Sequence, residues 1–388
     1  MRMRRITAII SVYDAENGDM YIHERPEWPK LRWSKAELAE LLAEVRYMQG
    51  KLLGHMNQLG FNLQLEASLE ILTTDIIKTS EIEGETLDVS QVRSSVAKRL
   101  GIDQGGSPYV SRDVDGIVEM TLEAISGYKK PLTHNRLFAW HASIFPGGRS
   151  GINRINVGQY RDKSSGVMQV VSGPFGREAI HFEAPSYDRL DREMQQFIDW
   201  YNADNEDLVI KAAIAHFWFV TIHPFDDGNG RISRVISDMT LARSDNLQQR
   251  FYSMSSQIQK ERKSYYQILE TCQKADVDIT PWVKWFLQLL KEAIENSNVL
   301  LASILAKADF WKKHANELLN ERQILLINKL LDGFEGKLTS SKWANIGKCS
   351  QDTALRDIND LIKRNIIRKE ESGGRSTSYV LSAGQMQA

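Results

Sequence analysis

Twelve consecutive residues, His223-Pro224-Phe225-Asp226-Asp227-Gly228-Asn229-Gly230-Arg231-Ile232-Ser233-Arg234, gather the groups that chemistry at a phosphate needs. His223 takes up a proton near neutral pH. Asp227 supplies the hard oxygen that suits Mg²⁺. Gly228 and Gly230 reach positive φ, so successive backbone N–H groups converge on an anion. A helix starting here adds the positive end of its dipole. Arg231 and Arg234, three apart, share one helix face and form a fork for phosphate oxygens. Base, metal ligand, anion nest and two arginines in one loop point to a nucleotide-phosphate site in which something attacks phosphorus. A P-loop is excluded, because no GxxxxGK[ST] occurs and no lysine follows the glycines.

The flanking residues say how this loop is held. Leu208 to Ile222 is an apolar helical run, and Pro224 stops it near His223. A second helix runs from about Gly230 through Leu241. Upstream, Ser34 with Glu37 reads as a capping box opening a helix to about Leu59. A second helix spans about Leu63 to Glu81 and stops at Gly84. Helices follow at Leu87–Leu100, Val114–Ile125, after Thr133, and at Tyr187–Tyr201. Short alternating runs, Val167–Ser172 and Ile180–Glu183, enclose a turn at Gly173–Gly176 and read as a hairpin. Thr7–Tyr13 reads as a strand before a turn at Glu16–Asp19. Met254–Lys274 holds one or two helices. Thr280-Pro281 caps a long helix with an expected break near Asn296-Ser297-Asn298.

The twelve-residue run resembles the core motif of the Fic family, His-Pro-Phe-x-[Asp/Glu]-Gly-Asn-Gly-Arg-x-x-Arg, at every specified position. The resemblance implies a helical domain that transfers AMP from Mg·ATP to a Tyr, Thr or Ser hydroxyl of a target protein. It implies His223 as base, Asp227 as Mg²⁺ ligand, and Gly228, Asn229, Gly230, Arg231 and Arg234 as nucleotide-binding residues. Thr79 to Gly84 is similar to the family's inhibitory pattern, [Ser/Thr]-x-x-x-Glu-[Gly/Asn]; this implies that Glu83, with Thr79 and Gly84, reaches Arg234 and restrains the enzyme. Glu83 helping a water in the reverse cleavage is a further implication. Gly158-Gln159-Tyr160-Arg161 also looks like Fic domains, and the hairpin like a flap that docks the target through Met168, Val170 and Val171. Gly230 stands where the kinase-like Doc branch has lysine. Tyr252, Tyr265 and Tyr266 are candidates to flank the adenine. His223 lies at a helix C-terminus, where the dipole favours its protonated form.

The chain has 388 residues, 42% hydrophobic and 26% charged, with a net charge of −1. That is a globular composition, without bulk attraction to nucleic acid or membrane. Cys272 and Cys349 fit neither a disulfide framework nor metal spacing, which suits a cytoplasmic protein. The apolar stretch Ile6–Val12 is too short for a signal peptide or a membrane span. The expected fold is mainly α: a Fic-type helical bundle with a hairpin flap, then a C-terminal winged helix-turn-helix. The expected parts are 1–110, an arm and helices with the inhibitory motif; 111–275, the catalytic core; 276–320, connecting helices; and 321–388, the winged helix. In the last part Ala354, Leu355, Ile358, Leu361 and Ile362 point inward. Thr353, Arg356 and Arg375 suit DNA, whereas Asp352, Asp357 and Asp360 on the same helix oppose it. Contact there with DNA, with protein or with a second copy of the chain stays open. The rival reading is a DNA-binding regulator whose core senses nucleotide or is idle.

Overall fold

The computed structural model describes residues 20–102, 109–173, 177, 179–203, 206–331, 334, 336–370 and 377–382. The strand at Thr7–Tyr13, the turn at Glu16–Asp19, the hairpin tip Pro174–Gly176 and the wing residue Arg375 lie outside them. Five helices come first: α1 (Lys35–Asn57), α2 (Phe61–Ile82), α3 (Val89–Arg99), α4 (Arg112–Ser126) and α5 (His134–Ile144). Ser34, Asp88, Ser111 and Thr133 each accept a hydrogen bond from a first-turn N–H, so four helix starts are fixed by side-chain caps. Gly116 on α4 lies against the Ser143 carbonyl of α5; a Cβ there would collide with it, so only glycine permits this approach.

Strands β1 (Arg149–Ser150) and β2 (Asn153–Arg154) form a small ladder. Strands β3 (Gln169–Ser172) and β4 (Ala179–Glu183) pair antiparallel as the expected hairpin, with a bulge between Val170 and Val171. Helices α6 (Leu190–Asn202), α7 (Leu208–Ile222), α8 (Asn229–Asp245), α9 (Met254–Lys260), α10 (Arg262–Gln273) and α11 (Thr280–Lys313) follow. Fourteen of the fifteen residues of α7 are buried, the mark of a helix apolar all round at the centre of a core. Helix α8 returns against it, and the Trp282 indole donates to the Ala213 carbonyl at 2.7 Å. The first six residues of the twelve-residue run, 223–228, form the loop between α7 and α8 and the last six open α8, so its position is set by this buried helix pair.

The expected break near Asn296-Ser297-Asn298 does not occur; α11 is continuous. Asn296 Nδ2 donates to the Glu292 carbonyl and Ser297 Oγ to the Ala293 carbonyl, both at 2.9 Å, so these polar side chains bond back onto the helix instead of interrupting it.

The chain divides into two compact units, Met1–Ser297 and Asn298–Ala388. In the second, α12 (Glu321–Leu331), β5 (Leu338–Thr339), α13 (Ser340–Ile346), α14 (Gln351–Lys363), β6 (Ile367–Lys369) and β7 (Ser378–Leu381) follow in order. Their sheet order is β5-β7-β6, antiparallel, and β5 was not anticipated. Trp343, Ile358 and Leu361 lie in its core, but Leu355, expected inside, is 38% exposed. No helix among the described residues is long and apolar enough to cross a membrane.

Candidate active site

Helix α7 ends in a left-handed residue, His223 (φ 52, ψ 58). Such a turn leaves carbonyls exposed, and Arg161 of the Gly-x-Tyr-Arg segment collects them. Its backbone N–H donates to the Pro224 carbonyl and its Nε to the His223 carbonyl, both at 2.9 Å; its Nη2 reaches the Pro185 carbonyl. The His223 ring contacts the Val220 carbonyl through Nδ1 at 3.1 Å. A carbonyl only accepts, so Nδ1 carries the hydrogen and Nε2 the lone pair. That Nε2 is buried without a hydrogen-bond partner among the described residues. Burial pushes the His223 pKa down to about 4, helped by the charge of Arg161 and opposed by the Val220 bond. The expectation that the helix dipole favours imidazolium is therefore overturned: desolvation of a fully enclosed ring outweighs it.

The loop after His223 is braced from inside. Phe225 is fully buried and stacks on His141, with ring centroids 4.2 Å apart. The Asn229 amide closes the turn twice, accepting from the Phe225 N–H at 2.9 Å and donating to the Phe225 carbonyl at 2.8 Å. Gly228 has φ +79, and a Cβ there would press on Ile144 and Phe145. Asp227 accepts from the Gly228 N–H at 2.6 Å and from the Ser150 hydroxyl.

Both arginines of the fork are occupied by carboxylates from the end of α2 and the segment beyond it. Arg234 donates to Thr79 Oγ1 at 2.6 Å, to the Thr79 carbonyl at 3.1 Å and to Glu83 Oε1 at 2.6 Å. Glu83 also lies over the anion loop, where a Cβ on Gly230 would strike its Oε1. Burial alone would raise the Glu83 pKa, but Arg234, followed by Arg231 and His223, holds it below the usual carboxylate range. Gly84, next in the chain, takes φ +83, as a helix-ending glycine does. Arg231 pairs with Glu85 at 2.8 Å, a contact that sequence reasoning missed; its only signal was a second carboxylate two residues after Glu83. Burial raises the Glu85 pKa; Arg231 opposes this, while Asp227, Glu83 and Asp113 reinforce it. Arg231 Nε and Arg234 Nη1 are buried donors without partners among the described residues.

A cleft opens beside these groups, lined by Glu83, Val170, His223, Gly230, Tyr265, Tyr266 and Glu270 among others. Of the three expected docking residues Val170 lines it, together with His181 and Phe182 of the same hairpin; Met168 and Val171 are buried, Met168 packing with Phe182. The hairpin is tied to α10 through His181 and Glu270, 2.8 Å apart. Tyr252 stands elsewhere, its hydroxyl donating to Asp245 at 2.7 Å within a buried polar network. Among the described residues no group of three or more His, Cys, Asp or Glu side chains is placed to hold a metal. Asp227 alone suits an ion whose remaining ligands are phosphate oxygens and water, the habit of Mg²⁺.

A histidine lone pair, a glycine-rich loop at a helix start and two paired arginines thus meet at one site of a mainly helical protein. Residues 131–241 match the model of the Fic/DOC family, so the chain contains a Fic/DOC domain. Residues 21–102 match a domain of unknown function, DUF4172. The protein adenylyltransferase Fic of Drosophila willistoni is 26% identical over 231 residues, 55% of this chain and 39% of that protein. Its counterpart in Drosophila ananassae is 25% identical over 246 residues, 59% of this chain and 42% of that protein. The chain thus spans about two-fifths of the length of these curated relatives. A crystal structure of a Fic family protein from Desulfovibrio desulfuricans G20 shares the fold, with a TM-score of 0.51 at 21% identity, covering 90% of this chain and 97% of that one.

Proposed function

We propose that this protein is an adenylyltransferase that moves AMP from Mg·ATP to a Tyr, Thr or Ser hydroxyl of a target protein and is restrained by Glu83. One observation carries the reading: a partnerless His223 Nε2 stands in the same cleft as an anion loop whose Arg234 is held by Glu83. The relatives named protein adenylyltransferase support it.

In this mechanism the target hydroxyl oxygen attacks the α-phosphorus and its proton passes to His223 Nε2. The bond from the α-phosphorus to the bridging oxygen breaks, and pyrophosphate leaves with that electron pair. Gly228, Asn229 and Gly230 present the loop and helix start to phosphate oxygens, and Arg231 and Arg234 balance the rest of the anionic tail. Asp227 would hold Mg²⁺, which offsets phosphate charge when bound. Val170 and the hairpin backbone would align the target segment. With Glu83 on Arg234, the tail is denied its arginine, and the α-phosphate is turned away from in-line attack.

Intact mass spectrometry tests this on wild type, Glu83→Gly, and Glu83→Gly combined with His223→Ala, each incubated with Mg·ATP. The expected result is one added AMP on the Glu83→Gly protein alone. Absence of both an adduct and ATP binding in all three would refute the reading.

A further inference from the structure

We propose that the second compact unit binds duplex DNA through the exposed face of α14 and the strand that follows it. Charge is divided unevenly along the chain. Residues 298–388 carry 14 Lys and Arg against 10 Asp and Glu, whereas residues 1–297 carry 35 against 40. Such asymmetry singles out the cationic part as the one suited to a polyanion.

Of the three acidic residues on α14, Asp357 is withdrawn from the surface, Asp360 is half-buried and paired, and Asp352 stays exposed at the helix start. Asp357 is 5% exposed, and its oxygens are taken by Arg322 Nε at 2.9 Å and Asn320 Nδ2 at 2.9 Å. Asp360 accepts from Gln323 at 3.0 Å and from Arg364 at 3.0 Å. What α14 leaves exposed is Gln351, Asp352, Leu355, Arg356, Asn359 and Lys363, while Ala354, Ile358 and Leu361 form the buried face. Arg356 and Lys363 suit phosphates or a guanine edge, and Asn359 suits an adenine edge. The next element, β6, exposes Arg368 and Lys369. A helix of 13 residues is about 20 Å long and 10–12 Å across, a width the DNA major groove accepts.

The test uses the full chain and a fluorescein-labelled 24-base-pair duplex of arbitrary sequence, read by anisotropy from about 50 to 200 mM NaCl. Binding is expected to weaken linearly in log–log form with salt. Arg356→Ala with Lys363→Ala should reduce the slope by about 1.8, two phosphate contacts at ~0.9 each. It should also weaken binding at least tenfold near 100 mM salt, while Lys51→Ala on the first unit changes neither quantity. Circular dichroism of the double variant checks that it folds. No binding at 50 mM salt, or an unchanged slope in the double variant, overturns the proposal. Stronger binding to an RNA duplex of the same sequence also overturns it, because the narrow RNA major groove does not admit a helix. So does a monomer–dimer shift by sedimentation in Leu355→Asp with DNA binding intact, since the face would then join copies of the chain.

Discussion

Replacing Glu83 should move nucleotide affinity and protein stability in opposite directions. The carboxylate sits 2.6 Å from Arg234 Nη2, with the two side chains 19% and 2% exposed. A hydrogen bond to a charged partner in such a setting contributes about 1.5–3 kcal/mol. A phosphate arriving at Arg234 must first displace that carboxylate, so the wild type binds ATP more weakly by that amount. Glu83→Gly should therefore tighten Mg·ATP binding by roughly 10- to 150-fold, at 1.4 kcal/mol per tenfold. Without ligand the same variant leaves Arg234 buried without its carboxylate, still bonded to Thr79, so its melting temperature should fall. Glu83→Gln keeps a neutral acceptor and should gain only about three- to twelvefold, since neutral bonds are worth about half as much. Glu81→Gln is the control: its carboxylate pairs with exposed Lys78 at 2.8 Å and should change ATP affinity less than about twofold. Titration calorimetry for affinity and differential scanning fluorimetry for melting read the two effects. Equal affinity in wild type and Glu83→Gly, or equal gains at positions 81 and 83, would refute the competition argument.

The other predictions concern protons and the second ion pair. Because burial holds His223 near pKa 4, AMP transfer by Glu83→Gly should stay flat from about pH 8 down to 5.5 and fail only below, as Nε2 gains a proton. Arg161→Gln removes a charge that depresses that pKa, so the acid limb of its pH–rate profile should move upward. Glu85→Gln frees Arg231 from a pair 46% exposed on the glutamate side, and a modest gain of about two- to fivefold in ATP affinity is expected. Since the Glu85 carboxyl is raised, mild acid should protonate it before Glu83, which is lowered, and the Glu85→Gln effect should fade first as pH falls.

The core loop was legible because its chemistry is contiguous: proline, two glycines and two arginines declare both the helix stop and the anion nest without tertiary information. The hairpin and most helix starts were legible for a related reason, since caps and alternation act over three or four residues. Contacts that join distant segments were not. Arg234 and Glu83 lie 151 positions apart, and only the resemblance linked them. Arg161 bonds to carbonyls, and a backbone partner leaves no trace in residue types. The His223 proton affinity was misjudged because a dipole can be read from a helix end, but complete enclosure of a ring requires the packed fold. Leu355 was assigned inward by its type alone, although its neighbours on the same stripe are Asp352, Arg356 and Asn359.

Helix α2 is pinned well before its end. Asp75 accepts from Ser253 Oγ at 2.6 Å, from the Ser255 N–H at 3.2 Å and from Ser255 Oγ at 3.1 Å. With the helix fixed there, Glu83 should leave Arg234 by rotating its own side chain rather than by shifting α2. Such rotations belong to the nanosecond range when a side chain reaches solvent, far faster than helix displacement in microseconds to milliseconds. An opening free energy of about 1.5–3 kcal/mol puts roughly 0.5–8% of molecules in the released form at any instant. Under the proposed restraint by Glu83 the protein would thus have a standing leak, and a target that lingers in the cleft would meet a released molecule many times before it departs.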